Sequence, residues 1–439
     1  MIISLGNSRE RLPIIIIDCY VIITIFLYYF GPVEFKSPYS PYMVLYLLLF
    51  LVIINVSYFR AIWIFNNDEM RSFNQITAET GLNPLPIWFY FLGVIIPFIM
   101  VISAVIITGF SGFDGSLFNA MAKAYTFTQS GGKFQEGIDM PMWIYMHFAV
   151  FVYLTIFDGA LFGRKNNKTR KILWILSLLL VLTYFILFRG AQKTLGDIFV
   201  LCSSAVVIKV AWSGNNKISK KRLLFLCFFT ISFGIVLSSV MGARQSLLNE
   251  IGYQGAGLSN QFWEYDLTNP LVSILPYENA LGVATMTFYL CNGLCGLSYC
   301  LPCPFTWTYG LTTFPDLSDI LGRRLGIDAY ENTYMYEAYQ IYGWHHSEQW
   351  HSLFPYLASD WTFIGALVIM AGVAYVYAIC WMEILRKNNK ESIYMFSLLN
   401  IIWVYLPCNN QIFATRTTAL VFVICIFMWI RRKKHASKR

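Results

Sequence analysis

Charged residues are scarce in this sequence. Asp, Glu, Lys and Arg make up only 13% of its 439 residues, whereas hydrophobic residues make up 57%. Soluble domains carry about 25% charged residues, so this chain has too few to cover a surface in contact with water. The composition therefore excludes a soluble enzyme, a disordered protein and a nucleic-acid-binding protein.

The sequence also lacks internal repeats and a Gly-rich phosphate loop of the P-loop type. What it has instead are apolar runs of about 18–25 residues, long enough to cross a bilayer core of roughly 30 Å. Backbone polar groups in lipid must be paired within the segment, so each run is predicted to be a helix. The predicted spans are Pro13–Phe30, Tyr42–Phe59, Ile87–Thr108, Trp143–Phe162, Ile172–Phe188, Leu195–Trp212, Leu223–Val240, Leu353–Met382, Ile393–Leu406 and Ala419–Ile430. We therefore expect an all-α polytopic membrane protein with these ten transmembrane helices.

The placement of Lys and Arg predicts which connections face the cytoplasm, because these residues concentrate on that side. If the N-terminus is inside, the inside segments hold most of the bases of the chain. These bases lie at 9–11, at 60 and 71, at 164–171, at 217–222, at 386–390 and in the tail 431–439. We expect both termini to be cytoplasmic.

One predicted outside loop is much longer than the others, and it divides the chain into three parts. These parts are residues 1–240 with seven spans, the loop 241–352, and residues 353–439 with three spans and a basic tail. Within the loop, Asn279–Pro315 carries no charge and is long enough to cross the membrane. A single crossing would break the predicted sidedness, so we expect a re-entrant hairpin or an interfacial segment, with a pair of true spans as the alternative.

Three arginines lie at predicted outer ends of spans. A charge at the depth of the membrane costs free energy, so each of them is a candidate functional residue. They are Arg189, followed by Lys193, then Arg244 and Arg416. A guanidinium group stays ionised and binds phosphate with two parallel hydrogen bonds. The arrangement favours a diphosphate-type ligand over the alternative, which is anchoring on lipid headgroups.

The long loop holds two further arginines and three histidines. Arg323 and Arg324 either add to the anion site or balance nearby aspartates. His345, His346 and His351 are candidate general bases, because a neutral imidazole accepts a proton near pH 7. His351, just before the eighth span, is our first choice; zinc binding and a structural role are the alternatives.

The same loop is rich in aromatic residues, which suit either a membrane interface or the stacking of sugar rings. The acid Glu331 lies among them and is a candidate to accept hydrogen bonds from hydroxyl groups. Cys300 and Cys303 have the spacing of a redox or zinc-ligand pair, but buried cysteines more often serve as small apolar residues.

Together, the outer arginines, the long late loop and the histidine that opens the next span resemble the O-antigen polymerase and O-antigen ligase group. The loop-end pattern of that group is His-Asn, an acid nine positions after the His, and then Gly-x-x-Gly. Here the corresponding residues are His351, Asp360 and Gly365, with Ser352 in place of Asn and Thr362 in place of the first Gly. The string Arg-Gly-Ala at 189–191 is similar to an early arginine string of such polymerases.

The resemblance implies a GT-C-like architecture and a glycosyltransferase in the cytoplasmic (inner) membrane of a bacterium. The donor would be a glycan on undecaprenyl diphosphate and the acceptor another lipid-linked repeat unit, with no metal and no cofactor. The implied diphosphate ligands are Arg189, Lys193, Arg244 and Arg416; the implied bases are His351, then His345, His346 or Glu331. Arg323, Arg324 and Asp360 would have supporting roles.

The expected partners are undecaprenyl-diphosphate-linked oligosaccharides and membrane lipids, with a chain-length regulator protein as a further candidate. The main alternative is a flippase for lipid-linked sugars, although such a transporter would usually show inverted repeats and broken helices in its two halves. A mannosyltransferase with an acidic pair in its first outer loop is a weaker alternative, since that loop holds only Glu34.

Overall fold

The computed structural model describes most of the chain. The described residues are 8–69, 82–108, 124, 133–163, 167–190, 192–212, 220–250, 257–326, 329–345, 349–387 and 389–436. Seven basic residues of the sequence analysis lie outside them: Arg71, Arg164, Lys165, Lys217, His346, Lys438 and Arg439.

Helices make up nearly all of the regular structure in this part of the chain. In order, the elements are α1 Ser8–Phe30, β1 Val33–Phe35, α2 Ser40–Glu69, α3 Ile87–Thr108, α4 Lys133–Phe162, α5 Lys168–Thr183 with a π-helical turn Tyr184–Arg189, α6 Gln192–Ala211, α7 Lys220–Glu250, β2 Trp263–Tyr265, α8 Tyr277–Cys300, α9 Pro315–Leu325, a 3-10 turn Tyr330–Asn332, α10 Tyr334–Tyr342, α11 Leu353–Arg386, α12 Lys390–Tyr405 and α13 Arg416–Ala436.

Nine of the described helices are long and apolar enough to cross a membrane: α1 to α7 (α5 together with its π turn), α8 and α11. The predicted all-α polytopic membrane protein is therefore confirmed at this level. The first eight predicted spans each fall on one of these helices. The last two predicted spans are also helical, but α12 has only 16 residues, about 24 Å, and neither α12 nor α13 belongs to the nine.

Several boundaries differ from the prediction: α2 continues to Glu69 rather than ending at Phe59, and α4 begins at Lys133 rather than at Trp143. The seventh span was expected to end at Val240, but α7 continues to Glu250, because the polar residues that interrupt the hydrophobic run are compatible with a helix. The segment Asn279–Pro315 contains the single continuous helix α8 rather than the two helices of a re-entrant hairpin. Pro302 and Pro304 follow the end of this helix, as expected for residues that cannot continue one.

Contacts divide the chain into two compact units. Unit 1 comprises Met1–Thr77, Gly257–Leu275 and Ala284–Thr415, and unit 2 comprises Ala78–Ala256, Pro276–Val283 and Arg416–Arg439. In unit 1, α11 packs along α2, where Ser57 donates a hydrogen bond to the carbonyl of Ala371 at 2.6 Å. The ring of Tyr377 stacks on Phe396 and so joins α11 to α12.

One end of unit 1 gathers basic residues that are distant in sequence. Arg386 at the end of α11 forms an ion pair of 2.8 Å with Glu10 at the start of α1. Lys387 lies 4.7 Å from the ring centroid of Phe65, near the end of α2. The basic positions 9, 11, 60, 386, 387 and 390, all predicted to be cytoplasmic, therefore belong to helix ends that meet at this end of the unit.

At the opposite end of unit 1, α8 runs along the connection between α1 and α2. Thr287 lies against Gly31, and the hydroxyl of Tyr299 donates to the carbonyl of Lys36 at 2.9 Å. These two residues of α8 are about 18 Å apart along the helix, yet both contact the connection that follows α1. Between them, the thiol of Cys291 donates to the carbonyl of Thr24 within α1 at 3.5 Å, so α8 packs against both α1 and the connection that follows it.

Unit 2 is a helical bundle in which α4 contacts α3, α5, α6 and α13. Ser177 of α5 donates to the carbonyl of Gly93 in α3 at 2.7 Å. Lys209, near the end of α6, donates to the carbonyl of Ala160 near the end of α4 at 2.5 Å. This pair marks the same end of the unit as the basic start of α5 at Lys168.

Candidate substrate-binding and catalytic residues

The cationic residues predicted to bind a diphosphate belong to unit 2, and Lys193 is at their centre. Gly190, with φ 60°, ends the π turn after Arg189, and α6 begins at Gln192. The ammonium group of Lys193 lies 3.0 Å from Asp197 Oδ2 and 3.5 Å from Thr418 Oγ1. The second contact joins the start of α6 to the start of α13.

This contact brings three of the predicted cations to one end of the unit. Arg189 precedes Lys193 by four positions, and Arg416 is the first residue of α13, two positions before Thr418. Arg189 and Arg416 are both partly exposed. The cluster of Arg189, Lys193 and Arg416 is called the cationic end of unit 2 below.

Arg244 lies at the same end of the helix pair formed by α6 and α7. Phe199 of α6 stacks on Phe233 of α7, with ring centroids 4.0 Å apart. The two helices are consecutive and antiparallel. Lys193 lies six residues before Phe199 and Arg244 lies eleven residues after Phe233, so the two cations are about 9 Å and about 16 Å from this stack in the same direction. Arg244 belongs to α7 and is partly exposed, rather than lying in the loop as predicted.

The cationic end is separate from the basic clusters of unit 2. Lys168 begins α5, whereas Arg189 ends the π turn that continues that helix. Arg431 and Arg432 lie near the other end of α13 from Arg416. In unit 2, the cations predicted to be outside and the more numerous cations predicted to be cytoplasmic therefore lie at opposite ends of the helices.

A buried acid that the sequence analysis did not select supports Lys193. Asp197 is 1% exposed, and its Oδ2 accepts hydrogen bonds from Lys193 and, at 2.5 Å, from Tyr153 of α4. Its Oδ1 is buried without a hydrogen-bond partner. An acid within a predicted span, four positions after a lysine, is the signal that would have identified it.

His351, the predicted general base, is almost fully enclosed in unit 1. It is 1% exposed and lies just before α11, where the amide of Ser352 donates to the carbonyl of Gly293 in α8 at 2.9 Å. A Cβ atom on Gly296 would lie 3.0 Å from both the His351 ring and the indole nitrogen of Trp344. The close approach of α8 at this glycine therefore encloses the imidazole.

The other predicted bases differ in their accessibility. Glu331 is exposed on the 3-10 turn. His345 is partly exposed, with its ring centroid 4.7 Å from that of Tyr339, and its backbone amide donates to Gln349 Oε1 at 2.9 Å.

Asp360, a predicted supporting residue, organises the segment between α8 and α9. It is 2% exposed, and its Oδ1 accepts from the hydroxyl of Thr308 at 2.5 Å and the amide of Thr312 at 3.2 Å. Its Oδ2 accepts from the amide and the hydroxyl of Thr313 at 2.7 and 2.6 Å. The carboxylate thus holds these three threonines against α11.

Two positions after Asp360, the backbone of α11 departs from helical geometry. Thr362 has φ 64° and ψ 165°, a region that residues other than glycine rarely occupy. Its hydroxyl accepts a hydrogen bond from the amide of Gly365 at 3.2 Å, as the side chain of an N-cap residue does. Thr362 therefore ends a short first segment of α11 and caps the long second segment.

The remaining predicted residues have less defined roles. Arg323 and Arg324 lie on α9, and the Arg324 side chain is exposed. Cys300 and Cys303 are buried free thiols, and burial raises the pKa of the Cys303 thiol to about 12. Among the described residues, no three His, Cys, Asp or Glu side chains are grouped closely enough to hold a metal ion.

Comparisons of the chain with known protein families, with curated proteins and with solved structures found no match in any of the three.

Proposed function

We propose that this protein is a glycosyltransferase that polymerises lipid-linked oligosaccharide repeat units. It transfers a glycan from undecaprenyl diphosphate to a hydroxyl group of an acceptor repeat unit, without a metal, at the outer face of a bacterial cytoplasmic membrane. Its partners are then the two lipid-linked glycans, the surrounding lipids and a chain-length regulator.

The observation that carries this proposal is the cationic end of unit 2. The contact of Lys193 with Thr418 gathers cations from two sequence regions at one end of the bundle. Fixed cations stabilise the charge that a departing diphosphate develops in the transition state. Because a diphosphate is a good leaving group once its charge is stabilised, the reaction needs no general acid.

The helix ends at this site add to the same effect. Both α6 and α13 begin within the cationic end. The first amide groups of a helix lack partners within the helix, and its N-terminus carries a partial positive charge. Two such termini beside Arg189, Lys193 and Arg416 suit an anionic group with several oxygen atoms.

The acceptor hydroxyl requires a base that approaches it to about 2.6–3.2 Å. The enclosed imidazole of His351 does not reach a substrate in this conformation, whereas His345 and Glu331 are accessible. Their exposure favours one of these two as the base, with His351 holding the start of α11 against α8. His346, which lies outside the described residues, stays a candidate.

The backbone of Thr362 supports the resemblance to the polymerase and ligase group. This residue occupies the position at which the pattern of that group has its first glycine. Its φ of 64° is one that favours glycine. The chain therefore has, at this position, a backbone conformation that a glycine adopts readily.

The saccharides linked to the membrane lipid in cells that lack the protein test the proposal. A polymerase defect should leave single repeat units on the outer face of the membrane. Accumulation on the inner face would instead indicate the flippase alternative. Normal polymer with no accumulated intermediate would contradict both functions.

Arginine variants test the diphosphate site directly. Arg416→Lys and Arg244→Lys keep the charge but lose the planar fork, so we expect each to reduce polymer synthesis about tenfold, equivalent to about 1.4 kcal/mol of transition-state stabilisation. Arg432→Lys, near the other end of α13, is the matched control and should have no effect. Full activity of the first two variants would indicate that these arginines are lipid anchors.

A further inference from the structure

The segment between α8 and α9 presents three aromatic rings to its surroundings. Phe305, Trp307 and Tyr309 are 43%, 53% and 66% exposed. The rings of Trp307 and Tyr309 have centroids 4.8 Å apart and are tilted by 42°. These three residues are called the aromatic platform.

Tyr309 lies in a turn that ordinarily excludes large side chains. The amide of Leu311 donates to the carbonyl of Thr308 at 3.1 Å, and both central residues have positive φ, 58° at Tyr309 and 80° at Gly310. Turns with positive φ at both central positions strongly favour Gly, Asn and Asp. A tyrosine at the first of these positions is strained, and its exposed ring gains little packing in return.

The structure holds this strained turn in place from beneath. Between the two exposed rings, Thr308 is fully buried and donates to the buried carboxylate of Asp360. The next residues, Thr312 and Thr313, bind the same carboxylate. Strained backbone that its surroundings fix in this way is typical of ligand-binding segments, so the strain points to a role for the exposed rings.

The chemistry of the segment indicates what these rings bind. Residues 301–314 contain no charged side chain, and the exposed Thr306 directly precedes Trp307. Aromatic anchors on anionic lipid usually have Lys or Arg beside them to contact the headgroups. Flat apolar faces with hydroxyl groups nearby suit a neutral sugar ring, whose CH faces are apolar and whose edges form hydrogen bonds.

We propose that the aromatic platform is a binding subsite for an uncharged sugar ring of the acceptor glycan, with Trp307 and Tyr309 stacking against it. This inference rests on the proposed function for the identity of the glycan. The binding of a neutral saccharide to the platform does not depend on the transfer reaction itself.

The test uses the full chain in lipid nanodiscs and the saccharide released by mild acid from the lipid-linked material of cells that lack the protein. If these cells accumulate no such material, a panel of neutral oligosaccharides replaces it. Binding is measured by saturation-transfer NMR. Trp307→Phe keeps a ring and should bind within about twofold of wild type. Trp307→Leu stays apolar but loses the ring, and its binding should be about 5–10-fold weaker.

Two further variants separate binding from folding. Tyr309→Asn suits the turn better than tyrosine, so its thermal unfolding midpoint should stay the same or rise while saccharide binding falls. Trp88→Leu, which removes an equally exposed ring of α3 (54%), is the matched control and should bind normally.

The opposite results would overturn the proposal. Unchanged binding in both Trp307→Leu and Tyr309→Asn would exclude a sugar subsite. A lipid contact would then be detected from the fluorescence of Trp307, taken as the difference between wild type and Trp307→Phe. Lipids with brominated acyl chains would quench this fluorescence if Trp307 contacts them. Loss of binding in these variants, combined with normal polymer in cells without the protein, would keep the subsite and contradict only the polymerase function.

Discussion

At the scale of single residues, Asp197 joins the side chains of Tyr153 and Lys193 in unit 2. It is buried, and it accepts hydrogen bonds from Tyr153 and from Lys193, the cation that also contacts Thr418. A long flexible ammonium side chain loses rotamer freedom when it is held. The carboxylate therefore supplies part of the ordering that a preformed diphosphate site requires.

Removal of this carboxylate should affect both stability and activity. Asp197→Ala removes the buried carboxylate that accepts from Tyr153 and Lys193, so we expect a loss of about 1–3 kcal/mol in the free energy of unfolding, measured by thermal unfolding in detergent. Asp266→Ala, which removes a partly exposed carboxylate bonded to the nearby Thr268, should cost less. Equal effects of the two substitutions would show that the buried network contributes nothing special.

Thr362 supports a second prediction about a single residue. Thr362→Ala loses the cap to Gly365 and keeps the unfavourable φ, so it should destabilise the protein by about 1 kcal/mol. Thr362→Gly also loses the cap but relieves a backbone strain of about 1–3 kcal/mol, and should be neutral or stabilising. The thermal unfolding midpoints of the two variants test this. A higher midpoint for Thr362→Ala than for Thr362→Gly would contradict the argument from backbone strain.

The sequence identified individual cations better than it identified their partners. Arg189, Lys193 and Arg416 stand out because charges are rare in apolar sequence, and the structure places them at one end of unit 2. The partnership of Lys193 with Tyr153 through Asp197 depends on how α4 packs against α6, which hydrophobic periodicity does not specify. The burial of His351 likewise depends on the approach of α8 at Gly296.

At the scale of helices, α7 and the start of α8 meet at two glycines in unit 2. A Cβ atom on Gly282 would lie 2.1 Å from the carbonyl oxygen of Ser238, and one on Gly242 would lie 2.4 Å from that of Glu278. Small residues at a crossing allow the backbones of membrane helices to approach closely. This contact lies beside Arg244 and fixes the end of α7 that carries it.

A methyl group at this crossing should separate the two helices. We expect Gly282→Ala to lower the free energy of unfolding by about 1–3 kcal/mol through overpacking, and to reduce polymer synthesis by displacing Arg244. The matched control is Gly372→Ala in α11, where a Cβ would meet nothing within 4 Å. That change should stabilise the helix by about 0.5–1 kcal/mol, and a destabilisation similar to that of Gly282→Ala would contradict the packing argument.

Helices were easier to predict than their ends and their neighbours. The first eight predicted spans coincide with long apolar helices, because the thickness of the bilayer requires long apolar runs in the sequence. The extension of α7 to Glu250 was not predicted, because the prediction used hydrophobic runs and this part of the helix contains polar residues. The sequence of Asn279–Pro315 does not show how many helices it forms, and the structure gives it the single helix α8, which is long and apolar enough to cross a membrane.

At the scale of the whole molecule, the chain is a multi-pass membrane protein whose basic residues lie at shared helix ends within each unit. In unit 1, Arg386 meets Glu10; in unit 2, Lys168 and Arg431 lie away from the cationic end. The positive-inside rule predicts that these basic ends face the cytoplasm. The loop that holds the aromatic platform is then outside.

Reporter fusions test this orientation. Alkaline phosphatase, which is active only outside the cytoplasm, should be active when fused after Gly257 and after Gly326, and inactive when fused after Asn389. A fluorescent protein that folds only in the cytoplasm should give the reverse pattern as the control. Activity after Gly257 but not after Gly326 would show that α8 crosses the membrane and would contradict the interfacial segment predicted from the sequence.

The short sheet of unit 1 has a consequence for the order of assembly. Residues of β1, Val33–Phe35, pair with Trp263–Tyr265 of β2, and an ion pair of 2.7 Å joins Lys36 to Glu264. The two strands are separated by more than half of the chain, so β1 leaves the ribosome long before its partner exists. During synthesis its unpaired edge is open to wrong pairing, and the entropic cost of closing so long a loop makes this pairing a late event. Nascent chains that stop before β2 therefore retain an unprotected strand, which makes them targets for membrane chaperones and proteases.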